Sequence, residues 1–515
     1  METPRTQFLQ VPLKASGLIP LKHLVLICSL ALATTVWAWI LIEDRQGYAL
    51  ESFLIVLGVY GAASAVFIGS RLRSTRFEFF DIPTFVTILA FVEFGVAPLG
   101  CFLTQGQFDP SFHGHSESFT RALIYLVLGM IAFWAGSHLA GRGSIAPRMA
   151  ALKAERGAAA SPPLDPAILR ALALYGVAFL VKAYFLVNFG YDYGTSLDFY
   201  FDHLAAMQVA NVIFQFGTFA LIILAIERFL NPSSLERNVL FWIVLVSECV
   251  WGLLSGMKSN LLQNFVVVAL VSSMAERRLK KGWLAAAVLG LVIVYPFSVQ
   301  YRELVRGRTS EAMGFEGAEQ MAGLALARAT ESDSTPFVWL ESGAGAALSR
   351  LNLLQSVAAV LSLGPRADYL KGSERWWMLP FYPFVPRFLW PTKPILDKGR
   401  RFSMALGYGD QTSTAMTYPG DLYFEYGVPG LLAGMFLFGL VAQWLTNRLS
   451  LPGSKRRMFV YTGLFITVLF VIELDAFDFW STLIRSLVIL SAVAWAVYRH
   501  SSDPRRKTHG QHSES

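Results

Sequence analysis

The stretch Ala205-Ala-Met-Gln-Val-Ala-Asn-Val-Ile-Phe-Gln-Phe-Gly-Thr-Phe-Ala-Leu-Ile-Ile-Leu-Ala-Ile-Glu227 carries no charge until its last residue. A helix of that length and apolarity matches the hydrocarbon core of a bilayer, which about 20 apolar residues cross at ~1.5 Å per residue. Working outward, runs of the same kind recur near 21–42, 50–69, 82–103, 120–140, 167–189, 239–256, 259–275, 283–300, 427–447, 458–474 and 479–498, twelve spans in all. With 54% hydrophobic and 15% charged residues and a mean hydropathy of +0.47, the chain is too apolar for a soluble domain. It reads as an all-α polytopic membrane protein. The first run has span length and is followed by another span, which predicts a retained helix rather than a cleaved leader.

The formal charge of +7 resides in short basic clusters beside apolar runs. That is the pattern of membrane orientation, not of nucleic-acid binding. With a cytoplasmic N-terminus, several clusters fall inward: Arg71, Arg73 and Arg76; Arg277, Arg278, Lys280 and Lys281; Lys455 to Arg457; and the Arg505, Arg506, Lys507 tail. The five short outward loops hold only Arg45 and Lys258. Twelve spans then leave both termini in the cytoplasm. The expected organisation is nine spans over 1–300 with a cytoplasmic linker at 141–166, one large outer loop over 301–426, and three spans with a basic tail over 427–515. Gly343 to Gly364 is apolar enough to pass for another span, but inserting it would turn the Lys455 and Arg505 clusters outward and put Arg350, Asn352 and Gln355 in hydrocarbon. It reads as an amphipathic helix on or in the outer face, stapling the loop to the bilayer. Cys28, Cys101 and Cys249 have neither disulfide nor zinc spacing.

Outer loops are normally cleared of Lys and Arg, yet this one keeps Arg302, Arg306, Arg308, Arg387, Lys393, Lys398, Arg400 and Arg401. An anion held there accounts for the retention, and a phosphate-bearing lipid is the simplest such anion. Arg302 and Arg306 are four apart, so they share a face if the preceding helix continues, and guanidinium forks take phosphate oxygens two at a time. The second cluster opens with Leu379-Pro-Phe-Tyr-Pro-Phe-Val-Pro-Arg-Phe-Leu-Trp-Pro-Thr-Lys-Pro394. Its five prolines forbid a regular helix, and its aromatics favour the membrane interface. From Arg387 to Arg401 five basic residues stand against one acidic residue, Asp397.

The run Val385-Pro-Arg-Phe-Leu-Trp-Pro-Thr-Lys-Pro394, the later Gly420-Asp-Leu-Tyr-Phe-Glu-Tyr-Gly427 with Gly430, and the turn Leu254-Ser-Gly-Met-Lys-Ser-Asn-Leu261 resemble the Wzy-type O-antigen and exopolysaccharide repeat-unit polymerases. The resemblance covers roughly Leu254 to Gly430. Asp421 stands where that family usually has Glu, and Glu425 where a small amide is common. What the resemblance implies is a metal-independent, cofactor-free glycosyltransferase of the bacterial inner membrane. It would move a growing glycan from undecaprenyl pyrophosphate onto an incoming lipid-linked repeat unit at the periplasmic face. Membrane lipids and a chain-length regulator are the further partners implied. On that reading Arg302 and Arg306 stabilise the departing pyrophosphate, while Arg308, Arg387, Lys393, Lys398, Arg400 and Arg401 hold the substrates. The candidates for general base are Asp421, Glu425, Glu303 and Asp397, in that order. A ligase using the same carrier and a lipid-linked glycan transporter remain as alternatives.

Other polar residues carry less. His113 and His115 with Asp109 and Glu117 read as a polar loop rather than a metal site. Lys182, Glu93, Glu227 and Glu248 fall within or near spans, where ionisable groups are expensive and often functional, with Lys182 and Glu227 readable as span ends. Glu473, Asp475 and Arg485 predict a structural ion pair at the turn between the last two spans, with a part in the catalytic cavity as the alternative.

Overall fold

A computed structural model of the chain describes residues 49–72, 80–105, 116–141, 166–189, 202–232, 234–276, 315–330, 348–363, 374–387, 389–409, 413–449, 454–469 and 472–499, with isolated positions elsewhere. All regular structure among them is helical. The longer helices are α1 (Ala49–Leu72), α2 (Ile82–Thr104), α3 (Ser116–Leu139), α4 (Pro166–Asn188), α5 (Leu204–Leu230), α6 (Leu235–Leu254) and α7 (Lys258–Glu276). They are followed by α8 (Phe315–Thr330), α9 (Leu354–Ser362), α10 (Lys398–Ala405), α11 (Tyr418–Leu449), α12 (Lys455–Leu469) and α13 (Ala476–Tyr498). Eight of these, α1 to α6, α11 and α13, are long and apolar enough to cross a membrane, and α7 contains a shorter apolar helix. The chain is a multi-pass membrane protein. The expected span at 21–42, most of that at 283–300 and the linker at 141–166 lie outside the described residues.

In hydrocarbon a backbone must satisfy its own hydrogen bonds, so apolar runs of this length become helices. Their ends are written locally. Pro83 sits in the first turn of α2, where its missing N–H costs nothing. Ser234 caps α6 by accepting from the Arg237 N–H, and Asp475 caps α13 by accepting from the Asp478 N–H at 2.8 Å. Gly141 and Gly256 take positive φ just beyond α3 and α6, the left-handed stop that glycine makes without strain.

Lipid tails are as apolar as leucine, so helices associate through close packing rather than through exclusion of water. Helices α3 and α11 show the device. A Cβ on Gly136 would collide with the Phe436 carbonyl, and one on Gly439 would collide with the Phe133 carbonyl. Gly129 faces Leu431 and Met435, and Gly136 faces Phe436 and Leu440, so the contacts advance in step and the two helices run parallel.

Polar networks mark the two ends of the bundle. At one end Arg71 binds Asp81, Ser137 and Gln443, joining α1, α3 and α11 to the start of α2. Lys455 of α12 pairs with Glu227 of α5 at 2.8 Å, and Arg170 of α4 donates to the Val497 carbonyl of α13 at 2.6 Å, so these contacts lie at that same end. Gln443 is 16 residues beyond Gly427, about 24 Å along a helix. The segment around residue 420 therefore occupies the opposite end. The Glu227 carboxylate, expected as a span end, is thus an interhelical partner, and Lys182 is held within the bundle by both oxygens of Glu248 at 2.8 and 2.9 Å.

One expectation is overturned, and one feature was not anticipated. Helix α9 does not lie on the bundle surface. Leu354, Ser356, Val357, Ala358, Ala359 and Val360 are all buried, and Leu354, Val357 and Ala358 belong to the central apolar core. Its entry is fixed by the Leu353 N–H, which donates to the Glu93 carbonyl at 3.2 Å. Glu93 lies in a π-helical turn at Val92–Val96, the kind of helix defect that frees a carbonyl for an outside donor. Helix α11 is likewise not one rod. Gly427 adopts φ 64° and ψ −157°, and the Tyr418 hydroxyl donates to the Gly434 carbonyl at 3.2 Å. A straight helix would separate those residues by about 24 Å. The chain doubles back at Gly427, leaving a short arm at 418–426 packed against the span at 428–449.

Candidate functional site

The arm begins under strain. Thr417 has φ 70°, a left-handed conformation unfavourable for a β-branched residue, and such outliers cluster where function needs them. Its hydroxyl and carbonyl accept from the Gly420 and Asp421 N–H groups, which starts the helix. Three contacts clamp the arm to the last span, α13, and the turn that leads into it. The Tyr418 N–H donates to the Ile472 carbonyl, the Trp480 indole donates to the Tyr418 hydroxyl, and the Ala476 N–H donates to Asp421 Oδ2 at 2.9 Å.

Asp421 and Glu425 are four apart on this arm and face one cation. Lys398 Nζ lies 2.8 Å from Asp421 Oδ1 and 2.8 Å from Glu425 Oε1, with Glu374 Oε1 at 3.9 Å. The Lys398 and Asp421 side chains are 3% and 2% exposed, whereas Glu425 keeps 30% of its side chain open. Burial, the largest single effect, lowers the Lys398 ammonium, but its two carboxylate partners together outweigh it and hold the ammonium above its ordinary range. Lys398 comes from the first turn of α10. A close approach at Gly399, where a Cβ would meet Ser413 and Thr414, and the Ser403–Thr414 hydroxyl contact at 2.7 Å fix that helix against the strand of chain leading to the arm.

Around this centre the charges are closely interlocked. Arg401 donates to Asp397 Oδ1 at 2.9 Å, to Glu374 Oε1 at 3.2 Å and to the Leu370 carbonyl. Asp475 sits at the start of α13 beside Asp421 and Asp478, and burial with those two neighbouring carboxylates pushes its carboxyl up to about 7. Glu473 pairs with Arg350 at 3.4 Å instead of with Arg485. No group of three or more metal-ligating side chains occurs among the described residues.

The Pro-rich segment folds on itself. Arg387 donates to the Lys393 and Pro394 carbonyls at 2.7 and 2.9 Å, and Lys393 donates to the Val385 carbonyl at 2.9 Å with its ammonium 4.3 Å from the Tyr382 ring centre. Tyr382 donates to the Pro394 carbonyl and packs edge-on against Phe477 in the first turn of α13, with Trp376 against the same ring. Burial and the nearby Arg387 and Arg485 push the Lys393 ammonium down to about 8.

A family model described as a domain of unknown function, DUF8712, matches residues 193–501. The chain belongs to that family. None of the curated proteins and no solved structure matches it. The DUF8712 match takes in α5 to α13 and therefore the whole cluster around Lys398.

The sequence-derived residues distribute unevenly over this DUF8712 region. Asp421, Glu425, Lys398 and Arg401 converge, and Asp397 joins them through Arg401. Arg387 and Lys393, expected to grip a phosphate, direct the donors named above to backbone carbonyls of their own segment. Arg400 is half-buried on α10. Arg302, Glu303, Arg306, Arg308, His113 and His115 lie outside the described residues. Sequence reasoning missed Glu374, which stands in no motif, and it favoured an ion pair for Asp475, with the place beside Asp421 covered only by the alternative of a part in the catalytic cavity. The periodicity of Asp421 and Glu425 was the available signal that one cation serves both.

Proposed function

We propose that this protein is a polymerase of lipid-linked glycan repeat units, with its catalytic centre at the Lys398–Asp421–Glu425 cluster. The observation that carries the reading is the division of labour between the two arm carboxylates. Asp421 is buried with an accepted hydrogen bond on each oxygen, while Glu425 shares the same ammonium yet remains partly open. A general base must reach an incoming hydroxyl. Glu425 is therefore the base, and Asp421, first in order by sequence, positions Lys398.

The acceptor hydroxyl oxygen bonds the anomeric carbon of the growing glycan as the bond to the carrier pyrophosphate breaks, its electron pair leaving on the pyrophosphate. Arg302, Arg306 and Arg308 are proposed to take that developing charge, since the assigned donors of Arg387, Lys393 and Lys398 point elsewhere. In the proposed topology twelve spans cross a bacterial inner membrane with both termini in the cytoplasm and the segment 301–426 on the periplasmic side. The basic residues Arg71, Arg170 and Lys455 at the opposite end of the bundle support that orientation.

The test is polymerisation of lipid-linked repeat units by purified protein, followed by gel analysis of surface glycan in cells. Glu425→Gln is expected to lower the rate by about 10²- to 10⁴-fold, the usual worth of a general base, while carrier binding persists. In cells a single attached repeat unit should remain. If no repeat unit is attached, the ligase reading replaces this one; if Glu425→Gln polymerises at the wild-type rate, Glu425 is not the base.

A further inference from the structure

Lys398 is surrounded by more acceptors than it uses. Its ammonium spends two protons on Asp421 and Glu425, and the third faces Glu374 Oε1 across 3.9 Å, beyond hydrogen-bond range. Glu374 is itself incompletely satisfied. Its side chain is 7% exposed, Oε1 accepts from Arg401, and Oε2 is buried with no hydrogen bond among the described residues. A buried carboxylate oxygen left in that state is costly, and its persistence calls for a role.

We propose that Glu374 is a positioning residue that receives the Lys398 ammonium each time Glu425 takes up the acceptor proton, so that Lys398 moves between the two glutamates while Asp421 holds it throughout. The inference rests on Glu425 acting as the base. When the acceptor oxygen bonds the anomeric carbon and the pyrophosphate departs with its electron pair, the hydroxyl proton passes to Glu425 and cancels the charge that holds Lys398 there. The ammonium is too deeply buried to turn to bulk water. The nearest further carboxylate is Glu374, which a movement of about 1 Å brings within hydrogen-bond distance. Glu425, released and partly open, returns its proton to solvent, and the ammonium moves back. The groups around Lys398 are Asp421 and Glu425 from the arm, Glu374 from the segment before the Trp376–Met378 turn, Arg401 of α10 bound to that Glu374, and Asp475 from the cap of α13.

Glu425→Gln imitates the protonated base and allows the exchange to be tested without turnover. In full-length protein in detergent, Glu374→Gln is introduced into the wild type and into Glu425→Gln, and the four Tm values form a double-mutant cycle. The Tm loss from Glu374→Gln is expected to be about twofold larger in the Glu425→Gln background, because Lys398 then depends on Glu374. Equal losses in the two backgrounds overturn the proposal. Should Glu374→Gln fail to fold, Glu374→Asp is carried through the same cycle. With lipid-linked repeat units, Glu374→Gln should lower kcat about tenfold with KM unchanged, whereas a purely structural role would leave kcat unmoved in the protein that remains folded. If wild-type protein polymerises nothing, the functional reading fails, but the Tm cycle still decides the exchange.

Discussion

At the scale of single residues, the site is governed by which charges a buried lysine can satisfy. Five basic residues between Arg387 and Arg401 are visible in the sequence, but their partners are not. Glu374 reaches Lys398 and Arg401 from 24 and 27 residues away, a separation that no helical period relates. Asp475 offers the clearest pH test. Its folded carboxyl sits at about 7 against an ordinary 3.8, so folding favours its protonated form. That stabilisation is complete below about pH 3.8 and is lost as the pH rises through 7, where the Asp421 and Asp478 carboxylates oppose the new charge. Asp475→Asn keeps a helix-capping side chain and removes the titration. Relative to wild type, its Tm is expected to be nearly equal below about pH 3.8, partly raised at pH 5 and several degrees higher at pH 8. A Tm difference that stays constant over that range would show that Asp475 does not titrate against its neighbours.

At the scale of elements, the spans were readable and the breaks were not. The run at 205–227 became α5, Leu204–Leu230, because twenty-odd apolar residues have no other way to satisfy a backbone in hydrocarbon. The run expected at 427–447 was also present, but nothing in hydropathy marks Gly427 as a reversal that carries Asp421 and Glu425 back alongside it. The register of Gly136 against Phe436, and of Gly439 against Phe133, is equally invisible until both helices are in place. Gly427 combines φ 64° with ψ −157°, a region that side chains essentially never enter. Gly427→Ala should therefore destabilise the protein by about 1–3 kcal/mol and tilt the arm, lowering turnover along with Tm. Gly58→Ala is the matched control. It lies within α1 with nothing within 4 Å of the added Cβ, so its Tm should hold or rise slightly. Thermal unfolding of both variants in one detergent decides the matter: equal Tm values would mean that the reversal at Gly427 is not what positions the arm.

At the scale of the molecule, a lipid-facing bundle has to present two chemically different ends to two aqueous compartments. One end is tied by Arg71, Asp81, Gln443, Lys455 and Glu227, and the other by Lys398, Asp421 and the self-folded Pro-rich segment. Cations near span ends favour the cytoplasm, so the two ends should differ in accessibility to a reagent that cannot cross the membrane. Leu389 and Trp377 are 68% and 67% exposed at the Lys398 end, and Leu139 is 69% exposed at the Arg71 end. In a background with Cys28, Cys101 and Cys249 replaced by Ser, Leu389→Cys and Trp377→Cys should react with an impermeant maleimide in right-side-out vesicles, and Leu139→Cys only after the vesicles are opened. The reverse order would put the Lys398 cluster in the cytoplasm, away from any glycan assembled outside, and the proposed reaction would have no substrate there. Labelling at both ends without opening would mean instead that the helices described here do not form one sealed bundle between two compartments.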